Sequence, residues 1–266
     1  MAERDVSQLL HGFNTVVFLI PPVETVFWAA ALVAALIGTI AGFGFSSILL
    51  PVALSVFQYE TALALVSIFH LFGNLGRVGF YRGNLDRRLM FLFGLPAVAM
   101  TFAGAMLVSV LPKDPLRLAV GLILVAYSAL GLMGRQVTVS PTASRSVLGG
   151  GVYGFSSGLV GTGGPIRGAF LSAFGLDSGT YIATSGAISL LVDLTRVPVY
   201  LLSGFLTPDY YLYVPALLAV ALVGSSLSSV LVGRIPAPRF RVIINVAIML
   251  ASLRLVAEAL GLLKVG

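Results

Sequence analysis

The residues of this sequence that are best suited to chemistry form two polar triplets with the same spacing. They read Asn74-Leu-x-Arg77-Val-x-x-Tyr81 and Asp193-Leu-x-Arg196-Val-x-x-Tyr200. On a helix, positions i, i+3 and i+7 share one face, so each triplet presents its polar groups together. A guanidinium group stays charged at physiological pH and offers a planar fork of donors, which suits sulfite, sulfonate or carboxylate. Both triplets are therefore predicted to bind a small anion.

Each arginine also has a structural interpretation. Arg77 lies near the predicted cytoplasmic end of its helix, where its side chain could extend to the membrane interface. Arg196 lies deeper, where an ion pair with Asp193 could serve only to hold its helix. An arginine inside a membrane is costly unless it is paired or faces water, so both remain candidates for an anion site.

Two glycine clusters are a second candidate site. They read Gly42-Phe43-Gly44, followed by Phe45, and Gly161-Thr162-Gly163-Gly164, followed by Pro165. A helix that begins after such a break presents free N–H groups and the positive end of its dipole, which suit an anion. Irregular backbone at membrane depth is tolerated only where it is buried in protein or lines a cavity. The alternative is that these glycines only allow close helix packing.

Arg167 and His70 are two further candidates. Arg167 closely follows the second glycine break, and it either adds positive potential to a cavity or pairs with Asp193 or Glu60. His70 lies one helical turn before Asn74. Histidine changes charge near neutral pH, so His70 and Asp193 are candidates for proton coupling, with simple packing of the ring as the alternative.

An enzyme is not expected. With two histidines and no cysteine, the sequence cannot assemble a nucleophile with its base or a histidine-rich metal cluster. No catalytic residue, metal or cofactor is therefore predicted. Nucleic acid is not an expected partner either, because the lysines and arginines behind the net charge of +6 stand singly among apolar runs.

The segments that must position these residues require a bilayer. Of 266 residues, 58% are hydrophobic and 10% charged, whereas a soluble domain carries about a quarter charged residues. A full crossing needs about 20 apolar residues. Six runs reach that length, at 61–80, 89–111, 116–134, 180–203, 210–232 and 241–263. Two further apolar regions, 23–57 and 146–176, contain the glycine breaks.

The sequence also repeats itself with a shift of 119 residues, without a gap over about 60 residues. The matched pairs are Gly42/Gly161, Gly44/Gly163, Thr61/Thr180, Ala64/Ala183, Arg77/Arg196, Tyr81/Tyr200 and Pro96/Pro215. Arginine, tyrosine and proline are scarce enough in this chain that one shared register indicates a duplication.

Loop charge predicts that the two halves have opposite orientations. Short cytoplasmic loops are enriched in basic residues. Arg82, Arg87 and Arg88 follow the run 61–80, whereas the matching loop 203–210 has no basic residue, and one loop later the bias reverses. Opposite orientation requires an odd number of segments per half.

The fold class predicted is therefore all-α, with two inverted repeats that each contain a glycine-broken helical hairpin and three transmembrane helices. Both termini would then be extracytoplasmic. One kinked span per broken region, giving 4+4 transmembrane helices, is the alternative. The expected organisation is an interfacial lead-in at 1–22, a first repeat at 23–134, a cytoplasmic linker at 135–145 and a second repeat at 146–263.

These motifs resemble the sulfite exporter family TauE/SafE, also called the toluene sulfonate uptake permeases. The resemblance covers about residues 24–262 and rests on the paired glycine breaks, on Arg82-Gly83-Asn84 and on the Gly161–Pro165 segment, which is similar to the family's Gly-x-Gly-Gly-Pro signature. It implies a transporter of sulfite or small organosulfur anions such as sulfoacetate, in a bacterial inner membrane. The chain departs from the family pattern at Phe45-Ser46-Ser47 and at Arg167, which stands where the first half has Ile48.

The expected function is secondary transport of a small sulfur-containing anion by alternating access, in a multi-pass protein of the cell inner membrane. The alternatives are a non-transporting scaffold subunit and a passive anion channel. The expected partners are the anion and the lipid bilayer, and a homodimer is left open. The expected site residues are Gly44, Phe45, Asn74, Arg77, Tyr81, Gly161, Thr162, Gly163, Gly164, Arg167, Asp193, Arg196 and Tyr200, with His70 as a proton-coupling candidate.

Overall fold

The computed structural model of the chain describes residues 22–41, 45–80, 85–134, 142–172, 174–231 and 237–262, and the regular structure in those ranges is helical. The helices are α1 (Pro22–Ala41), α2 (Phe45–Val56), α3 (Tyr59–Phe80), α4 (Arg87–Val108), α5 (Lys113–Leu132), α6 (Ala143–Val160), α7 (Gly164–Ser172), α8 (Ser178–Leu202), α9 (Tyr213–Leu231) and α10 (Ala237–Ala259). In each half, a helix before the glycine break and a short helix after it are followed by three further helices. This is the order predicted from the glycine breaks.

Side-chain caps fix where several helices begin. The carboxylate of Asp177 accepts a hydrogen bond from the backbone N–H of Thr180 at the start of α8. The hydroxyl oxygen of Thr142 accepts one from the backbone N–H of Arg145 at the start of α6. These bonds satisfy donors that a helix leaves free in its first turn. The hydrogen bonds from Thr180 also hold the pKa of Asp177 below its ordinary value. Because of its cap, α6 begins within the predicted linker 135–145.

Each glycine-broken region folds back on itself as a hairpin. The rings of Phe27, near the start of α1, and Phe57, just beyond the end of α2, lie 4.9 Å apart between centroids. In the second region, a Cβ at Gly149 would lie 2.5 Å from the ring of Phe170. A single kinked helix would hold these residues at opposite ends. In both regions the helices on either side of the glycine break therefore lie side by side.

The helices pack in pairs that follow the repeat. α3 packs against α8 and α5 against α10, which are equivalent helices of the two halves. α4 packs against α6, and in the same way α9 packs against α1. The contact of α3 with α9 likewise matches the contact of α8 with α4. These contacts bring helices of the two halves together throughout the described part of the chain.

The distribution of side chains is that of a membrane protein. Large apolar side chains such as Leu202, Leu212 and Phe91 are exposed, whereas the charged side chains of Arg77, Arg167, Asp193 and Arg196 are buried. Four helices are long and apolar enough to cross a membrane by length and composition, at Tyr59–Gly79, Arg87–Val108, Lys113–Leu132 and Gly179–Leu202. α9 and α10 form at the other two predicted spans. The chain is therefore a multi-pass membrane protein, with α3 and α8 at its centre.

A stripe of glycines on α6 brings α4 unusually close. A Cβ at Gly150, Gly154 or Gly158 would lie 2.1, 2.0 and 2.2 Å from the backbone oxygen of a residue on the facing helix. The spacing of four residues matches the small-xxx-small pattern of close membrane helix pairs. These glycines position α6, the first arm of the second hairpin, against the first half of the chain.

Candidate functional site

Six polar side chains from α3, α7 and α8 form a buried group, which we call the polar cluster. Its members are His70, Asn74, Arg77, Arg167, Asp193 and Arg196, and each is at most 5% exposed. The three residues of α3 lie four and three positions apart, so one face of the helix carries all of them. The same rule places Asp193 and Arg196 together on α8.

Asp193 is the acceptor on which the cluster converges. Its Oδ2 lies 2.8 Å from the Nδ1 of His70 and accepts a hydrogen bond of 2.8 Å from the Nδ2 of Asn74. Its Oδ1 accepts from the Nε of Arg196 at 3.0 Å and lies 2.8 Å from Nη2. The ion pair considered for Asp193 and Arg196 is therefore present, and the buried carboxylate is fully bound.

Arg77 and Arg196 occupy equivalent positions and make equivalent backbone contacts. Arg77 donates through Nη2 to the carbonyl oxygen of Gly38, near the end of α1. Arg196 donates through Nη1 to the carbonyl oxygens of Ser157 and Gly161, at 3.0 and 3.1 Å, at the end of α6. Gly38 and Ser157 are themselves 119 residues apart. Each guanidinium group thus caps the negative end of the first helix of its own hairpin.

The burial of Arg77 decides between its two interpretations. The side chain is 3% exposed, so the protein encloses the charge and the side chain does not extend to the interface. Its guanidinium carbon lies 4.5 Å from the centroid of the Phe45 ring, which the sequence also placed in the site. A Cβ at Gly186 of α8 would lie 3.4 Å from the Cβ of Arg77.

Asn74 and Asp193 contact each other directly, although they are equivalent residues of the two repeats. The two triplets therefore meet inside the polar cluster. Tyr200, the last residue of the second triplet, donates to the carbonyl oxygen of Gly158 at 2.5 Å. The equivalent Tyr81 lies outside the described residues, as does Gly44.

Arg167 of α7 is fully buried and is held by Tyr153 of α6. Its Nη1 donates to the tyrosine hydroxyl at 3.0 Å, and its guanidinium carbon lies 5.4 Å from the ring centroid. Of the two carboxylates considered as its partners, Glu60 pairs with Lys113 and Asp193 pairs with Arg196.

Arg167 and Arg77 belong to different halves, and both guanidinium groups are buried in the polar cluster. A buried guanidinium group keeps its charge and offers a planar fork of donors, which suits an oxyanion. The region bounded by α3, α6, α7 and α8 is therefore suited to an anion.

The tips of the two hairpins meet beside the cluster. The hydroxyl oxygens of Ser47, in the first turn of α2, and Thr162, in the second glycine break, lie 3.2 Å apart. Gly161 ends α6 with a φ of +76°, a conformation that favours glycine. Both helices that return from the breaks, α2 and α7, thus begin at the same place. The sequence had named Ser47 only as a departure from the family pattern.

Gly163 has a structural reason of its own. A Cβ there would lie 2.4 Å from the Oγ of Ser157 and 2.6 Å from the ring of Tyr153, both on α6. The residue is therefore required for the two arms of its hairpin to pack, and Gly164 begins the buried returning helix. No group of acidic, histidine or cysteine side chains within the described ranges has the arrangement of a metal site.

The fold and the cluster define a class, an all-helical membrane protein with a buried cationic centre between two glycine-broken hairpins. The sulfite exporter TauE/SafE family matches residues 27–255 of the chain, so the chain belongs to this family. This confirms the resemblance seen in the motifs. Family members are membrane transporters and not enzymes, so the chain is not an enzyme. No curated protein and no solved structure matches the chain.

Proposed function

We propose that the protein is a secondary transporter that moves a small sulfur-containing anion, such as sulfite or sulfoacetate, by alternating access. The observation that carries this proposal is the buried polar cluster, which brings the guanidinium groups of Arg77, Arg167 and Arg196 from both halves of the chain into the interior. Membership of a family of sulfite exporters supports the choice of an anion. The cell inner membrane is the location proposed for it.

The anion is held, in this proposal, by the guanidinium groups of Arg77 and Arg167 and by the first turns of α2 and α7. Helix N-termini attract anions because their first N–H groups are free and their dipole is positive there. Ser47 and Thr162 supply hydroxyl donors at the same place. Arg196 has a different role, since Asp193 and two backbone carbonyls bind it, and it positions the second hairpin.

The two halves are proposed to be inverted repeats that exchange conformations during transport. Three observations support this: the hairpin with three helices in each half, the reciprocal helix contacts and the equivalent capping contacts of Arg77 and Arg196. The absence of native cysteine allows a direct test of orientation. Ser203→Cys should react with an impermeant thiol reagent from outside, and Asn84→Cys only after the membrane is permeabilised. Labelling of both from one side would contradict the inverted arrangement.

His70 and Asp193 are proposed to carry a coupling proton. The Nδ1 of His70 lies between the carboxylate of Asp193 and two donors, the Nδ2 of Asn74 at 3.1 Å and the Nη2 of Arg196 at 3.4 Å. Protonation of the ring would therefore alter the charge of the whole cluster. In proteoliposomes, a pH gradient should accelerate anion uptake by the wild type but not by His70→Gln. Equal acceleration in both would remove His70 from the coupling.

Flux through the purified protein in proteoliposomes tests the function. We expect uptake of radiolabelled sulfite that saturates and that shows counterflow against unlabelled sulfite inside. Arg77→Gln should reduce it strongly, whereas Arg254→Gln should not, because Arg254 is exposed and paired with Glu258 on α10. Flux without saturation or counterflow would indicate a channel, and no flux or anion binding would indicate a scaffold.

A further inference from the structure

We propose that the groove between α1 and α9 binds one phospholipid, phosphatidylethanolamine, whose ammonium group contacts Glu24 and whose acyl chain lies in the groove. The inference goes beyond the proposed transport of an anion and does not depend on it. The groove lies on the exposed surface of the two helices, whereas the side chains of the polar cluster are buried.

Contacts between the two helices bound the groove at each end. At one end the hydroxyl group of Tyr213 donates a hydrogen bond to the Oε2 of Glu24. At the other end a Cβ at Gly224 would lie 2.2 Å from the Cβ of Ala35. Both pairs are separated by 189 residues in the sequence, so α1 and α9 run parallel between them. The groove therefore extends along the two helices and begins beside a carboxylate.

The lining of the groove is apolar. The groove has a volume of about 440 Å³, and residues 25–32 of α1 extend about 10 Å beside it. The side chains of Leu32 and Val223 are 37% and 51% exposed. The other apolar residues of the lining are Trp28, Ala29, Ala219 and Val220. Because an exposed crevice between two membrane helices is in contact with lipid tails, an acyl chain is the ligand that fits it.

The repeat explains why a groove forms between these two helices. In the equivalent pair of helices, Gly150 and Gly154 allow α6 to lie directly against the backbone of α4. The shift of 119 residues places Ala31 and Ala35 at these positions of α1. Their methyl groups hold α1 further from α9 than glycine would, and space remains between the two helices.

Aromatic side chains surround the end of the groove at which Glu24 lies. The ring centroids of Trp28 and Tyr213 lie 5.0 Å apart, and those of Tyr213 and Tyr210 lie 5.3 Å apart. Tryptophan and tyrosine are enriched at the membrane–water interface, so this end of the groove lies at the level of the lipid headgroups. The face of such a ring also attracts a cation, and proteins recognise ammonium ligands in this way.

Glu24 gives the same end of the groove a negative charge. Trp28 follows Glu24 by four residues, so both side chains lie on one face of α1. The sequence has no lysine or arginine at 22–41 or at 203–231, which contain α1, α9 and the turn before α9. Tyr213 uses only part of the acceptor capacity of the carboxylate, which has about four lone-pair sites. A headgroup with a positive charge and N–H donors therefore complements this end of the groove.

The headgroup is tested by native mass spectrometry of the purified full-length protein in detergent, with phospholipids that carry the same acyl chains. The wild type should bind phosphatidylethanolamine at least about tenfold more tightly than phosphatidylglycerol, the effect of a hydrogen bond to a charged group. Glu24→Gln should abolish this preference. Asp114→Asn is the matched control, because it removes an exposed carboxylate from the first turn of α5, and it should keep the preference.

The acyl chain is tested by a second pair of variants. Val223→Trp fills the groove, so it should weaken the binding of both lipids at least about threefold and keep the preference between them. Leu222→Trp adds the same side chain at a neighbouring exposed position outside the lining, and it should leave both affinities unchanged.

Four results would overturn the inference. Equal affinity of the wild type for phosphatidylethanolamine and phosphatidylglycerol would exclude recognition of the ammonium group. Equal affinity for phosphatidylcholine, whose ammonium group has no N–H, would exclude donation to Glu24. Equal effects of Val223→Trp and Leu222→Trp would exclude the groove. A change of oligomeric state in Val223→Trp with unchanged lipid binding, measured by light scattering and mass spectrometry, would show that a second copy of the chain covers the groove.

Trp28→Leu serves if Glu24→Gln does not fold. It removes a ring face beside the ammonium group, so it should reduce the preference for phosphatidylethanolamine about threefold. An unchanged preference in a folded Trp28→Leu protein would contradict the proposal. Anion transport is measured separately, by the flux of sulfite, so either proposal can fail without the other.

Discussion

The ion pair of Arg196 with Asp193 leads to a quantitative prediction about stability. Arg196→Gln removes two donors from the Oδ1 of Asp193 and the donor that caps the carbonyl oxygens of Ser157 and Gly161. Breaking a buried ion pair by removing one partner costs about 3–5 kcal/mol, because the remaining charge is left buried. In a chain of this size, about 2–4 °C of melting temperature corresponds to each kcal/mol. We therefore expect the melting temperature to fall by roughly 6–20 °C.

The double variant Asp193→Asn with Arg196→Gln separates this account from a direct role in anion binding. It removes the stranded charge, so it should be more stable than Arg196→Gln alone, although the carbonyl groups at the end of α6 lose their cap. The four proteins form a double-mutant cycle, in which we expect a coupling energy of about 1–3 kcal/mol. The anion affinity of the folded double variant should stay close to that of the wild type. Additive effects within about 0.5 kcal/mol, or a loss of binding in the folded double variant, would refute this reasoning.

Two further predictions concern the packing of α6 against α4 and the contact of Asn74 with Asp193. Gly154→Ala should lower the melting temperature strongly, because its Cβ would lie 2.0 Å from a backbone oxygen of α4. Gly151→Ala should be tolerated, because the nearest neighbour of its Cβ is a side-chain atom at 3.6 Å. Equal effects of the two substitutions would contradict the close packing of α6 on α4. Asp193→Asn should lower the melting temperature. Exchanging the two side chains, by Asn74→Asp together with Asp193→Asn, places a carboxylate at position 74, whose side chain contacts that of residue 193 at 2.8 Å. The melting temperature of the exchanged protein should exceed that of Asp193→Asn, and a further fall would contradict the equivalence of the two positions.

The order of the helices was predictable because its signals are local. Helices form at all six long apolar runs, and four of them are long and apolar enough to cross a membrane. The two glycine clusters lie between the helices of each hairpin. The shift of 119 residues that aligns Arg77 with Arg196 also aligns the two residues whose carbonyl oxygens these arginines bind. The sequence could not reveal those contacts, however, because the partners are backbone oxygens of Gly38 and Ser157, and any residue type can supply a carbonyl group.

The composition of the candidate site was predicted better than the roles of its members. His70, Asn74, Arg77, Asp193 and Arg196 do lie together, as their helical spacing indicated. Which side chains form ion pairs depends on three-dimensional distances, so the sequence allowed Arg196 either to bind an anion or to pair with Asp193. The structure shows the ion pair with Asp193.

Two features of the second hairpin could not be settled from the sequence. Tyr153, the partner of Arg167, lies in an earlier helix of the same hairpin, and nothing in its neighbourhood marks it as a ligand. Gly163 carried a signal that suited either an anion or close packing. The distances to Ser157 and Tyr153 show that packing within the hairpin is sufficient to require glycine there.

Equilibrium binding of radiolabelled sulfite to the purified protein tests the central claim, a buried anion site between the two halves, most directly. The account predicts saturable binding of one anion per chain that Arg77→Gln weakens at least about tenfold, the loss expected for a hydrogen bond to a charged group. Arg254→Gln serves as the matched control, because that arginine is exposed and paired on α10. Sulfite binding of equal strength in the wild type and in a folded Arg77→Gln protein would contradict the claim.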